Sequence, residues 1–256
     1  MLEQNKEQFD YLGITQWHQA GYTGHGLRIG VLDLGYNKEH SPFNDVITVG
    51  RAGNSSLNRT HGLSVVSIIK QILPNATIIY GEGSMAVNDV LRQKPDLITM
   101  SLSVNSVAAI ARLEQVALQN PLIPIITSGG NVDVEGVTLP AHLDSWIAIG
   151  AVHFDRNGNH MAANYSSLGG EIEFSAFTNL RVHGYNNTTR LLGGTSCAAP
   201  VFAGTLGLIM SSMRRKIPVT ALRNSIIKYT ENLGAPGRDV TYGHGVLKLP
   251  KPGSVR

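Results

Sequence analysis

A single cysteine, Cys197, in 256 residues excludes an internal disulfide framework and any cysteine-rich metal site, so packing must hold the fold. Excess charge of one sign is missing too. The 21 Lys and Arg against 18 Asp and Glu leave only +3. The one short basic run, Arg214-Arg215-Lys216, falls at the expected end of a helix, where cations complement the helix dipole. A nucleic-acid partner is therefore not expected. Long hydrophobic runs are also lacking: VFAGTLGLIM has ten residues and two glycines, short of the roughly 20 residues that span a bilayer. The first 26 residues, MLEQNKEQFDYLGITQWHQAGYTGHG, are polar and hold no apolar segment of the signal-peptide kind. The expectation is a chain without a membrane partner and cytoplasmic, although a secreted mature form whose leader had been removed would read much the same.

What is present is an ordinary globular composition, 42% hydrophobic and 15% charged, on a chain long enough for one large core. The expected division is an N-terminal extension over 1–20, one domain over 21–250 and a tail over 251–256. Short runs rich in Val and Ile predict buried strands at 27–33, 76–80, 96–102, 123–128 and 146–152, apolar enough for a parallel sheet covered on both faces. Segments at 61–73, 86–93 and 106–119 space their apolar residues three or four apart and predict helices, as do 196–215 and 219–229. After about residue 153 the pattern shortens, and DRNGNH and GYNNTT read as hairpin or surface turns. Strand and helix in alternation predict a single-domain α/β fold with a doubly wound, mostly parallel sheet and helices on both faces.

In such a sheet, ligands meet the carboxyl ends of the strands. Asp33, Ser101 to Ser103 and Ser128 to Asn131 fall at those ends. The glycines of GHGLRIG precede a strand instead of following one, which makes a poor dinucleotide fingerprint, and no cofactor is expected. Three segments carry chemistry. Asp33 ends RIGVLD, where a rigid carboxylate suits the orienting of an imidazole, though an aspartate there also suits an Asx-turn. His61 opens an amphipathic helix whose dipole disfavours the imidazolium, so a neighbouring carboxylate is needed to balance it. Ser196 follows Gly-Gly-Thr at a helix start, either as an N-cap or as a nucleophile beside backbone N–H groups that receive an oxyanion.

Taken together, Asp33, His61 and Ser196 follow the chain order of subtilisin, which differs from that of chymotrypsin and the α/β-hydrolases. The sequence resembles the subtilases, serine endopeptidases of the subtilisin family. The resemblance is carried by G-x-x-x-x-I-G-V-L-D-x-G at 24–35, Thr60-His61-Gly62, G-T-S-x-A-A-P at 194–200 and ITSGGN at 126–131. LPAHLDSWIAIGAV (139–152), YSSLG (165–169) and YGHGVL (242–247) extend it. It implies a peptide or protein substrate, attack by Ser196, proton transfer by His61, orientation by Asp33, and an oxyanion held by the Asn131 amide and the Ser196 N–H. Substrate walls are implied at Ser101, Leu102 and Ser103 and at Ser128, Gly129 and Gly130.

The chain also departs from the family pattern. Ser103-Val104 stands where glycines usually leave room for a substrate side chain, so a narrowed pocket and a preference for small or unusual residues before the cut are expected. The LPN turn at 73–75 is too short for an inserted calcium loop, and no metal is expected. A short inhibitory segment at the active site is an open reading of residues 1–20, which nothing in their composition demands. Cys197 reads as an inert buried thiol. The rival readings are a peptide-binding pseudoprotease and an esterase or acyl transferase with the same triad.

Overall fold

A computed structural model of the chain describes residues 1–54, 56, 59–132, 136–213 and 215–255. Two short helices, α1 (Lys6–Tyr11) and α2 (Ile14–Gln19), lead into β1 (Arg28–Asp33), β2 (Ile47–Val49) and α3 (His61–Ile72). Next come β3 (Thr77–Glu82), α4 (Val87–Arg92), β4 (Leu97–Met100), α5 (Val107–Gln119), β5 (Ile125–Ser128) and β6 (Ile147–Phe154). The remainder is β7 (His160–Ala162), β8 (Ile172–Phe177), β9 (Leu180–His183), β10 (Thr189–Leu192), α6 (Thr195–Ser212), α7 (Val219–Ile227), β11 (Thr230–Glu231) and β12 (Val246–Leu247). The main sheet runs β11-β12-β8-β6-β5-β4-β1-β3-β2, with β7 paired to β6. Among these pairings only β6–β7 and β11–β12 are antiparallel, so the sheet is mostly parallel. DRNGNH makes the β6–β7 turn and GYNNTT the turn of the separate β9–β10 hairpin.

Strand alternation divides the core in two. Ile29 and Val31 of β1, Ile78 and Tyr80 of β3 and Ile126 of β5 face a cluster containing α3 and α6; Leu32, Ile79, Ile98, Met100 and Ile125 face one built on α4 and α5. Each fully buried Ile, Leu or Val contributes about 1.5–3 kcal/mol of transfer free energy. Residues 1–20 belong to this packing, with Phe9, Leu12, Ile14 and Trp17 buried in the first cluster. Asn5 bonds Gln71 and His18 bonds the Ile72 carbonyl, so this segment fastens to the far end of α3 from His61. That position does not support an inhibitory segment over the site.

The 18 residues of α6 are long and apolar enough to cross a membrane by length and composition, yet 78% of that window is buried inside the protein. A helix hydrophobic on all sides belongs in a core, which accounts for it here. It ends at Ser212, so the basic run follows the helix instead of closing its last turn. Arg214 lies outside the described residues, and Lys216 pairs with Asp96 at 2.6 Å. A Cβ on Gly204 would stand 2.9 Å from the Ile72 Cβ, and one on Gly207 2.7 Å from Leu73 Cδ1. Only glycine permits α3 and α6 to lie this close. Both helices start at the carboxyl edge of the sheet and descend to its amino edge, so His61 and Ser196 stand at the same end.

Candidate active site

Asp33 closes β1 at the carboxyl edge and is fully buried. Its Oδ1 accepts hydrogen bonds from the Leu34 N–H at 2.6 Å and from His61 Nδ1 at 2.6 Å. No Asx-turn forms, because the Gly35 N–H donates to Glu82 Oε1 at 3.1 Å instead. Gly35 has φ +88°, and a Cβ there would lie 2.6 Å from the Arg59 backbone, so this bend requires glycine. The same bend anchors α3: the Gly62 N–H donates to the Leu34 carbonyl at 2.7 Å and the Leu63 N–H to that of Gly35 at 3.1 Å. The histidine and the aspartate are thus fixed to one piece of backbone.

Burial alone would lower the His61 imidazole, but the hydrogen bond and charge of Asp33 outweigh it and hold the pKa above its ordinary 6.5, with Arg190 acting against them. For Asp33, burial pushes the carboxyl up, while His61 and the Leu34 N–H pull it back. With Nδ1–H donated to Asp33, Nε2 is left as the acceptor. The side chain is 37% exposed.

Ser196 is not the N-cap of α6. That position is Gly194, at φ +79°, and Ser196 is the second helical residue. Gly194 is held on both sides: its N–H donates to the Tyr165 hydroxyl at 3.1 Å and its carbonyl accepts from Thr178 Oγ1 at 2.9 Å. Pro200 lies inside the helix and has no N–H to offer the carbonyl four residues back, which is that of Ser196. Ser101 Oγ fills the gap by donating to it at 3.1 Å. The hydroxyl assigned to a substrate wall is therefore committed to the first turn of α6. Thr195 performs the matching task for Asn131, whose Oδ1 accepts from the Thr195 N–H at 2.8 Å and from its Oγ1 at 3.0 Å. The Asn131 Nδ2 is then the donor left over, on an exposed side chain.

Sequence reasoning did not single out Thr195, Tyr165, Thr178 or Glu82; Thr195 and Tyr165 lie inside motifs that it had quoted. Asp33 and His61 meet directly, and Asn131 and Ser101 both reach the start of α6. Among the described residues no hydrogen bond joins His61 to Ser196. Ser128, Gly129 and Gly130 are buried at the end of β5, with the Gly130 N–H donating to Thr195 Oγ1 at 3.1 Å. Leu102 is half-buried and Ser103 exposed. Val104 is 8% exposed and belongs to the buried cluster that includes Leu113, Leu143 and Trp146. Cys197 is fully buried and its thiol is pushed up to about 12 by that burial, which leaves it a poor nucleophile. In the turn after α3, the Asn75 side chain is tied to Thr23 Oγ1 at 2.8 Å. No group of three or more His, Cys, Asp or Glu that could hold a metal occurs among the described residues.

Comparison with known proteins finds proteases similar in sequence and in fold. Minor extracellular protease Epr of Bacillus subtilis (strain 168) is 27% identical over 92% of this chain, which spans 40% of that protein. Subtilisin DY of Bacillus licheniformis is 26% identical over 90% of the chain and 91% of its own length. A solved structure described as a lanthipeptide protease covers 96% of this chain and 95% of its own, with a TM-score of 0.77 at 20% identity, a likeness of fold. The extracellular relative fits the secreted alternative and lends nothing to the cytoplasmic expectation. The subtilase family model matches residues 24–245, well over half of the chain, and the chain belongs to the subtilase family.

Proposed function

We propose that the chain is a serine endopeptidase in which Ser196 attacks the scissile carbonyl. His61 Nε2 takes the serine proton and passes it to the leaving amine, while Asp33 fixes the tautomer and stabilises the imidazolium. The Asn131 Nδ2 and the Ser196 N–H receive the oxyanion. The reading rests above all on the 2.6 Å bond from His61 Nδ1 to a fully buried Asp33, which leaves Nε2 free at the edge where α6 begins. A fluorophosphonate probe tests it. Labelling at Ser196 that disappears in His61→Ala is expected, and failure of the wild-type chain to label would overturn the assignment. Nothing observed favours the pseudoprotease.

The described lanthipeptide protease supports a narrower reading, selective processing of a peptide precursor. Indiscriminate digestion of casein would count against that selectivity. For the oxyanion, Asn131→Ala is expected to lower kcat about 10²- to 10³-fold with little change in KM, the size known from the matching loss in subtilisin itself. Steady-state kinetics on one peptide would check it, and unchanged turnover would remove Asn131 from the site.

A further inference from the structure

The flank of His61 carries positive charge that the reaction does not use. Arg190, on β10, reaches across to contact Thr60 Oγ1, the residue just before His61. Its charge is felt at the imidazole, which it lowers. Arg59 adjoins Thr60 in the chain and is exposed. Arg59 also lines, with Arg51, Asn54, Ser56 and Glu82, a hollow of about 350 Å³ beside the bend that holds Asp33. Among the described residues, none of the three arginines takes part in an ion pair. The carboxylate of Glu82 is turned to other work, accepting from the Gly35 N–H at 3.1 Å and from the Tyr80 hydroxyl at 3.1 Å.

Charge placed this way has a cost at the site. A cation beside the base opposes formation of the imidazolium, and the N-terminal end of α3 adds positive potential of the same sign. A bound carboxylate would cancel both. Guanidinium groups suit that ligand, since they present a planar fork of donors that matches a carboxylate and remain charged at every working pH.

We propose that Arg190 forms a subsite on the His61 side of the cleft that selects substrates with an Asp or Glu side chain next to the scissile bond. The acidic residue does two things there: it anchors the peptide, and it offsets the field of Arg190 on His61 as the proton arrives. This inference rests on the proposed hydrolysis, but its test does not need turnover.

Binding is measured by fluorescence anisotropy to Ser196→Ala, with labelled peptides that carry Asp or Asn, and Glu or Gln, at each of the two positions either side of the cut. At low salt the acidic peptide is expected to bind about fivefold more tightly at one of these positions, the scale of a partly exposed ion pair. Adding Arg190→Gln to that protein should bring the ratio close to one, Arg190→Lys should keep part of it, and high salt should weaken it. Arg59→Gln is expected to reduce it less. Equal binding of acidic and neutral peptides at all four positions, or a ratio that survives Arg190→Gln, would overturn the subsite. A preference in binding without fluorophosphonate labelling of the wild-type chain would keep the subsite and discard the hydrolase, so the two failures are distinguishable.

Discussion

Ser196→Ala is expected to lower kcat about 10⁶-fold, and adding His61→Ala to it should cost almost nothing more, the behaviour known for such a unit in subtilisin itself. The reasoning is that an imidazole contributes only through the proton it takes from the serine. Once the hydroxyl is gone, the base has nothing to activate. The double variant matters here because Asp33 and His61 are hydrogen-bonded whereas His61 and Ser196 are not. Their functional link is inferred from position: both stand at the top of helices that share one glycine-lined contact. Catalytic contacts often tighten only when substrate is bound, so the link is best read from kinetics. Single-turnover assays on one peptide would measure it. Additive losses in the double variant would mean that the two residues act separately, and the proposed mechanism would fail.

Asp33→Asn is expected to lower kcat about 10⁴-fold, the order found for triad aspartates in serine proteases, subtilisin among them. It should do so without loss of thermal stability. Asp33 is fully buried, and burial pushes its carboxyl up, so a neutral amide of the same shape relieves a desolvation cost while keeping most of the volume. The pH profile gives a second reading with a definite sign. Activity needs neutral His61, so kcat/KM falls as pH drops through the pKa of that imidazole. With Asp33 present that pKa lies above 6.5, and the acid limb should have its midpoint there. Remove the carboxylate, and burial and Arg190 remain as the causes that lower it, so the midpoint should move below 6.5. A limb that stays in place would mean that Asp33 does not control the imidazole. A sharp fall in Tm would mean that its role is structural.

The strands and helices that carry these residues were legible because their apolar patterns are strong. The short apolar runs of β1, β3, β4 and β5 reflect burial on both faces, and α3 ends within one residue of its predicted boundary. The three-residue β2 was missed, because ITV is too short to carry a period. The expected helix over 196–215 stops at Ser212, where Met213 is already extended. Within the candidate site, the residues proposed for the chemistry could be named from motifs, but what holds them could not. Ser101 reads as a substrate wall in sequence; its hydroxyl bonds the carbonyl that Pro200 leaves without a donor, a relation between residues far apart in the chain. Thr195 on Asn131, and Tyr165 and Thr178 on Gly194, are of the same kind.

The glycine-lined contact between α3 and α6 lies well below the rim, so any tilt of one helix against the other would turn about a point far from the side chains at their starts. Gly204 meets Ile72 some 12 Å along the axis from Ser196 and roughly 16 Å from His61. A small tilt at that fulcrum is magnified over such arms into a sideways swing at the reacting atoms. The spacing that the proposed proton transfer needs would therefore depend on packing at Gly204 and Ile72, well away from both side chains.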